Sequence, residues 1–399
     1  MSEAKNNLNI VTLGRSGAGK SSLLNYLLGR NHFKAGVGRP VTGAGFYETK
    51  SKIGGVEVTI IDSYGIESGA NFETWKKLFR EKLAEHDTSH SMENWLHVII
   101  YCISAYDARV EPIDTQIISQ LRSSGQKIVI AITNADRGAD DCKQLREDIC
   151  RACKEVSEED FVEIDSVKFK KQYFGVDLRK LILNHYFDNV FAALPEHCIK
   201  LVGVETEKFF NEECARIDKW LDYKPFRTEH NAKNLQRLEN SCEWFVDDFK
   251  KRIFPRIVKD ALAQSISIAH DLGRVITHGG EAPGVYEDLV IPFEAFKDKQ
   301  TWFWSDSFWD NVGLAAVSVF AFPIAIVWVP IDELINGEKN YRRELVEKLV
   351  KFCEDMRLQI EKSEEKEKRL SKFFSSVKEK ILSETLKNGD RKTGGATSN

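Results

Sequence analysis

The sequence predicts an α/β domain, a mostly parallel sheet with helices on both faces, followed by an all-α helical domain. Three observations carry that expectation. Residues 14–21 read GRSGAGKS, a GxxxxGK[ST] match set between a strand-like apolar run at 8–13 and a helix-like run at 22–28. An alternating strand-like run stands at 56–61, and short apolar runs at 98–103 and 127–132 have the continuous pattern of strands covered on both faces. Beyond Pro195 the strand signal fades, and long stretches carry apolar residues at helical spacing.

The first βα junction is chemically specific. Glycines let backbone N–H groups turn inward around phosphate oxygens, so Gly14, Ser16, Gly17, Ala18 and Gly19, with Ser22 just beyond, read as a phosphate cradle. Lys20 can reach the β- and γ-phosphates, and the Ser21 hydroxyl is placed to ligate Mg²⁺. A plain glycine turn needs neither the lysine nor the hydroxyl. The junction therefore implies a nucleoside triphosphate.

Downstream signals follow in order. The run at 56–61 ends in Asp62, and Asp62-Ser63-Tyr64-Gly65 fits DxxG: the carboxylate can hold Mg²⁺ through water, and the Gly65 amide can approach the γ-phosphate because no Cβ intervenes. In the intervening loop, Thr42 is a candidate second hydroxyl ligand of Mg²⁺, with Thr49 and Thr59 as competitors. The run at 127–132 delivers Thr133-Asn134-Ala135-Asp136. An aspartate there accepts from the guanine N1 and N2 donors, which adenine does not offer, while Asn134 can brace the pocket. Further on, at the end of the segment 162–167, the Val167 amide, beside Ser166, can donate to guanine O6, and a helix over about 177–186 would close the domain.

With these five regions in order, the first 190 or so residues resemble an Era/TrmE-like P-loop GTPase of the translation-factor-related class. Ser21-Ser22-Leu23-Leu24-Asn25 and Leu27-Leu28-Gly29 are also similar to dynamin-like and immunity-related GTPases. The resemblance implies a Ras-like domain that binds GTP and GDP with Mg²⁺ and hydrolyses GTP. By it, Lys20, Thr42 and Gly65 act at the γ-phosphate, Ser21, Thr42 and Asp62 serve the metal, and Asn134, Asp136, Ser166 and Val167 serve guanine. The lysine of the family's NKxD pattern is read here as Ala135, which predicts modest nucleotide affinity with guanine selectivity kept by Asp136. Ile66 follows the DxxG where Ras-like enzymes keep a water-positioning glutamine, so slow intrinsic hydrolysis is expected. Gly17 stands where cation-activated relatives keep Asn or Ser, which counts against activation by a monovalent cation. Arg15 and Arg39 are candidate arginine fingers.

The helical half is expected to span 195–387 as a bundle or stalk. Phe209, Phe210, Ile217, Trp220 and Leu221 share one face of a helix over about 196–222. A second helix over 231–276, kinked at Pro255, would align Leu235, Leu238, Cys242, Phe245, Phe249, Ile253, Ile257 and Leu262. Its partner would be the charged run at 341–386, which carries Leu345, Leu349, Phe352, Met356, Leu358 and Leu370. Residues 312–331 hold a long apolar stretch flanked by Trp302, Trp304, Trp309 and by lysines and arginines; it reads equally as a buried element broken at Pro323 and as a re-entrant or reversibly inserting membrane segment. The tail at 388–399 reads as disordered.

A 399-residue chain with 42% hydrophobic content accommodates two cores. The net charge of −4 makes nucleic acid an unlikely partner. Eight scattered cysteines, with a lone CxxC at Cys150 and Cys153, fit a reduced compartment, and no cleavable signal stands at the start. A cytoplasmic location is expected, with a membrane surface and a GTP-dependent homodimer through the nucleotide domain as partners. Two function classes stay open: a membrane-associated, assembly-regulated GTPase, and a soluble Era-like switch acting on a protein or ribonucleoprotein. A domain with vestigial hydrolysis serving as a nucleotide-gated scaffold is the third possibility.

Overall fold

The structure, a computed structural model, describes residues 7–27, 45–53, 55–64, 72–87, 90–107, 109–137, 139–164, 174–222, 224, 228–277, 331–361, 368 and 370–379. They form two compact units. The first contains a six-stranded sheet, and the second is helical among the described residues.

The sheet runs β2-β3-β1-β4-β5-β6. Its strands are β1 (Asn7–Leu13), β2 (Gly45–Ile53), β3 (Val56–Tyr64), β4 (Val98–Ser104), β5 (Val129–Thr133) and β6 (Phe161–Ile164). Every pairing is parallel except β2 with β3, which is antiparallel across the tight turn at Gly55. β4 and β5 are buried along their whole length, which is why they read as unbroken apolar runs. β2 lacks such a run because it is an edge strand, with exposed Glu48, Lys50 and Lys52.

Helices α1 (Lys20–Leu27), α2 (Phe72–Glu85), α3 (Pro112–Ser123) and α4 (Ala139–Ala152) connect the strands. On one face Val11, Leu13, Tyr101, Ile103, Ile130 and Ile132 meet Phe79 from α2, Ile117 from α3, and Leu145 and Ile149 from α4. Ile10, Ile60 and Ile100 alternate with residues of that face and are equally buried.

α5 (Phe174–Trp220) corrects the expectation of two helices parted at Pro195: it runs unbroken through that proline. A proline in a helix interior costs about 3 kcal/mol. Burial of Val190, Phe191, Leu194, Cys198 and Val202 on both sides of it offsets that cost. Its first part belongs to the sheet unit. Asn189 clamps both backbone groups of Lys127, accepting from its N–H at 2.6 Å and donating to its carbonyl at 2.9 Å. α6 (Thr228–Asp248) continues through a π turn, Phe249–Ile253, into α7 (Phe254–Thr277). Phe254 N–H donates to the Phe249 carbonyl, so the ladder slips by one residue directly before Pro255, where the sequence predicts a kink.

The chain does not divide once near residue 190. Described residues 263–277 of α7 and 374–379 return to the sheet unit, while 194–262 and 331–373 make the helical unit. In the sheet unit the Tyr186 hydroxyl donates to the Ser265 carbonyl at 2.6 Å, and Phe374 packs edge-on against Phe191. In the helical unit Phe209 stacks on Phe245 at 4.0 Å and meets Phe352 of α8 (Ile331–Glu361) at 6.1 Å. Leu238, Cys242, Phe249, Leu345, Leu349 and Met356 complete this core, whereas Leu358 is exposed. The aromatic residues at 302–309, segment 312–330 and the tail lie outside the described residues. Among the described residues no helix is long and apolar enough to cross a membrane.

Candidate nucleotide-binding site

The loop between β1 and α1 opens at the carboxyl ends of the parallel strands, where open α/β sheets place their ligands. Three of its glycines have positive φ: Gly14 at 132°, Gly17 at 80° and Gly19 at 85°. At Gly14 the need for glycine is absolute, because a Cβ would lie 2.3 Å from the Cys102 carbonyl oxygen. At Gly19 a Cβ would press on Thr133 at 3.1 Å. The loop thus lies directly on β4 and β5.

Lys20, only 9% exposed, turns its ammonium back over the loop and donates to the Gly14 carbonyl at 2.8 Å and the Arg15 carbonyl at 3.0 Å. Burial lowers its pKa, and the nearby Asp62 carboxylate partly restores it. Burial likewise raises the Asp62 pKa, against the opposing pull of Lys20, a hydrogen bond from the Thr12 hydroxyl at 3.1 Å, and the Ser63 amide. The site therefore brings one cation and one carboxylate together in a largely dry floor, which strengthens each for a charged ligand. Ser21 is half-buried at the start of α1, while Ser16, Gly17 and Ser22 are exposed and Ala18 is buried.

On the β5 side, the Thr133 hydroxyl donates to the Ala18 carbonyl at 2.9 Å and the Ile103 carbonyl at 3.3 Å, tying the loop to two strands. Asn134 has a φ of 56°, a left-handed conformation that asparagine tolerates, and its amide donates to the Ser104 hydroxyl at 2.9 Å. Asp136 follows in a short 3₁₀ turn and is exposed. These positions correct the register assigned to Ala135. Ala135 packs against the sheet core and offers no side chain to a base. Counting back from Asp136, the four-residue NKxD pattern puts its lysine at Asn134 and its asparagine at Thr133.

Thr42, Gly65, Ser166 and Val167 lie outside the described residues, as do Arg39 and Ile66. Arg15 is held toward the start of α3, 3.6 Å from Asp114 and 3.8 Å from Glu111. Asp114 in turn accepts from the Tyr101 hydroxyl at 2.7 Å.

Sequence reasoning missed Thr12, Ser104 and the pinning role of Thr133. The available signal was a hydroxyl at the end of an otherwise apolar strand. Cys150 and Cys153 are free thiols, and among the described residues they belong to no metal-binding group. The acidic group that does occur, Glu48, Glu85 and His86, is bridged by the Lys82 ammonium, which contacts both carboxylates.

Residues 9–134 match the family described as 50S ribosome-binding GTPase. The Chlamydomonas reinhardtii protein "Translocase of chloroplast 34 homolog, chloroplastic" is 28% identical over 147 residues, 34% of this chain and 36% of that protein. The chain thus spans about a third of the length of that curated relative. Among solved structures, Arabidopsis thaliana Toc33 with GDP and Mg²⁺ aligns at 19% identity and a TM-score of 0.30, over 40% of this chain and 71% of that one. Era with MgGDPNP and a 16S ribosomal RNA segment aligns at 19% identity and a TM-score of 0.33, over 44% of this chain and 56% of that one. The sheet unit carries a P-loop GTPase domain of Ras-like fold, followed by a largely helical region.

Proposed function

We propose that this protein binds GTP and GDP with Mg²⁺ and hydrolyses GTP through the sheet unit. The observation that carries the reading is the loop itself: glycines in left-handed conformations wrap a buried ammonium, with a carboxylate facing it at the carboxyl ends of β1 and β3. The cradle suits a phosphate chain, since its floor leaves no room for a Cβ at Gly14 and its lysine is already dehydrated. A Mg²⁺ ion would supply neutralising charge on the phosphates, with Ser21, Asp62 and Thr42 as the residues to hold it. Lys20 exchanges loop carbonyls for phosphate oxygens, the Gly65 amide meets the γ-phosphate, Asp136 reads guanine N1 and N2, and Asn134 with Ser166 and Val167 frames the base. With Ile66 in place of a glutamine, turnover without an activator is slow.

The broader role we assign is a membrane-associated GTPase regulated by assembly, pairing through its nucleotide domains. The apolar stretch at 312–331 and its aromatic and basic flanks support the membrane part. Multiple-turnover GTP hydrolysis over a range of protein concentrations, with and without liposomes, tests both parts. Specific activity that climbs with protein or lipid is the expected result. Turnover retained by Lys20→Ala would refute the site, and a flat rate with no liposome flotation would favour a soluble switch.

A further inference from the structure

β1 ends in Ile-Val-Thr-Leu, and Thr12 is fully buried in it. A valine there would match the shape, keep the β-branch that strands favour and avoid burying a hydroxyl. The hydroxyl has a specific occupation. Thr12 stands opposite Asp62 in the parallel β1–β3 register, and its Oγ1 donates to Asp62 Oδ1 at 3.1 Å. The carboxylate is thus held from beneath by a strand-borne donor, while the Lys20 ammonium attracts it from the loop. A hydrogen bond of this kind fixes the orientation of a carboxylate and leaves its second oxygen unclaimed by Thr12.

We infer that Thr12 is a positioning residue that sets the Asp62 carboxylate for Mg²⁺, so that metal affinity, and not intrinsic nucleotide affinity, depends on its hydroxyl. The inference rests on the proposed reading of Asp62 as the metal-facing carboxylate. Outer-shell partners of metal ligands are worth about 10–100-fold in metal affinity, which sets the size of the effect.

The test uses the full chain loaded with fluorescent GDP, reading its release rate against free Mg²⁺. Thr12→Val should raise the Mg²⁺ concentration for half-maximal slowing by about tenfold or more. Its release rate in EDTA should equal that of the native protein, and Thr12→Ser should restore the native midpoint. Should Thr12→Val fail to fold, Thr12→Ala reads the same shift. A native midpoint in the hydroxyl-free variant overturns the inference, as does an equal shift in Thr12→Ser or an acceleration confined to EDTA, since each marks a packing effect. A native protein that retains no GDP refutes instead the reading on which the inference rests.

Discussion

Gly14 and Gly17 occupy the same loop yet answer to different constraints. A Cβ at Gly14 would collide with the Cys102 carbonyl, and the backbone there holds a φ of 132°. At Gly17 nothing lies within 4 Å, and the backbone strain alone remains. Gly14→Ala should therefore cost at least about 3 kcal/mol, and Gly17→Ala about 1 kcal/mol, in denaturant titrations of nucleotide-free protein; equal losses would contradict this account. His97 makes a second prediction. Its Nδ1 accepts from the Asn9 N–H at 2.9 Å and its Nε2 faces the Met92 carbonyl at 3.1 Å, a pairing that only the neutral ring satisfies. Burial lowers its pKa to about 4. The folded pKa lies below the unfolded value, so the stabilisation is complete above about pH 6.5 and is lost as pH falls through 4. The protein should be about 2 kcal/mol less stable at pH 5 than at pH 7 from this group alone. His97→Gln should flatten that part of the slope in urea titrations at the two pH values, and an unchanged slope would refute the assignment. Legibility at this scale followed physical uniqueness. Gly14, Lys20 and Asp62 each have a reason that few other residues satisfy. Thr133 does not announce itself, because many residues end a buried strand and only its contact with Ala18 shows what it does.

Among the elements, β4 and β5 were readable because burial on both faces leaves an unbroken apolar run, and β1 and α1 because they flank the GxxxxGK[ST] loop. β2 was not, since its exposed edge carries Glu48, Lys50 and Lys52 and its order comes from pairing with β3. Pro195 and Pro255 were read as a junction and a kink; the first is absorbed within α5 and the second is met by the π turn before it. Packing overrides local propensity at Pro195, whereas at Pro255 the expected irregularity is kept as the π turn. The helical unit depends most on its aromatic cluster. Phe209 is 5% exposed between Phe245 and Phe352, so Phe209→Ala should destabilise the protein by about 3 kcal/mol or more. Trp244, 54% exposed on α6, should lose less than about 0.5 kcal/mol on the same change. Thermal unfolding followed by circular dichroism separates the two, and similar shifts would dissolve the distinction.

At the scale of the molecule, the sheet unit is discontinuous in sequence: residues 263–277 and 374–379 return to it from the helical half. That return was invisible to a linear reading, because periodicity shows that a helix has an apolar stripe without showing what the stripe meets. The nucleotide site escapes this limit, since its chemistry is packed into local motifs. Its central claim, guanine recognition beside a Mg²⁺-dependent phosphate cradle, is tested most directly by isothermal titration of the full chain in Mg²⁺ with GTP, GDP and ATP. The account predicts saturable binding of GTP and GDP, lost in Lys20→Ala, with ATP at least a hundredfold weaker. Equal binding of ATP and GTP would contradict the reading of Asp136, and no binding of any nucleotide would contradict the site as a whole.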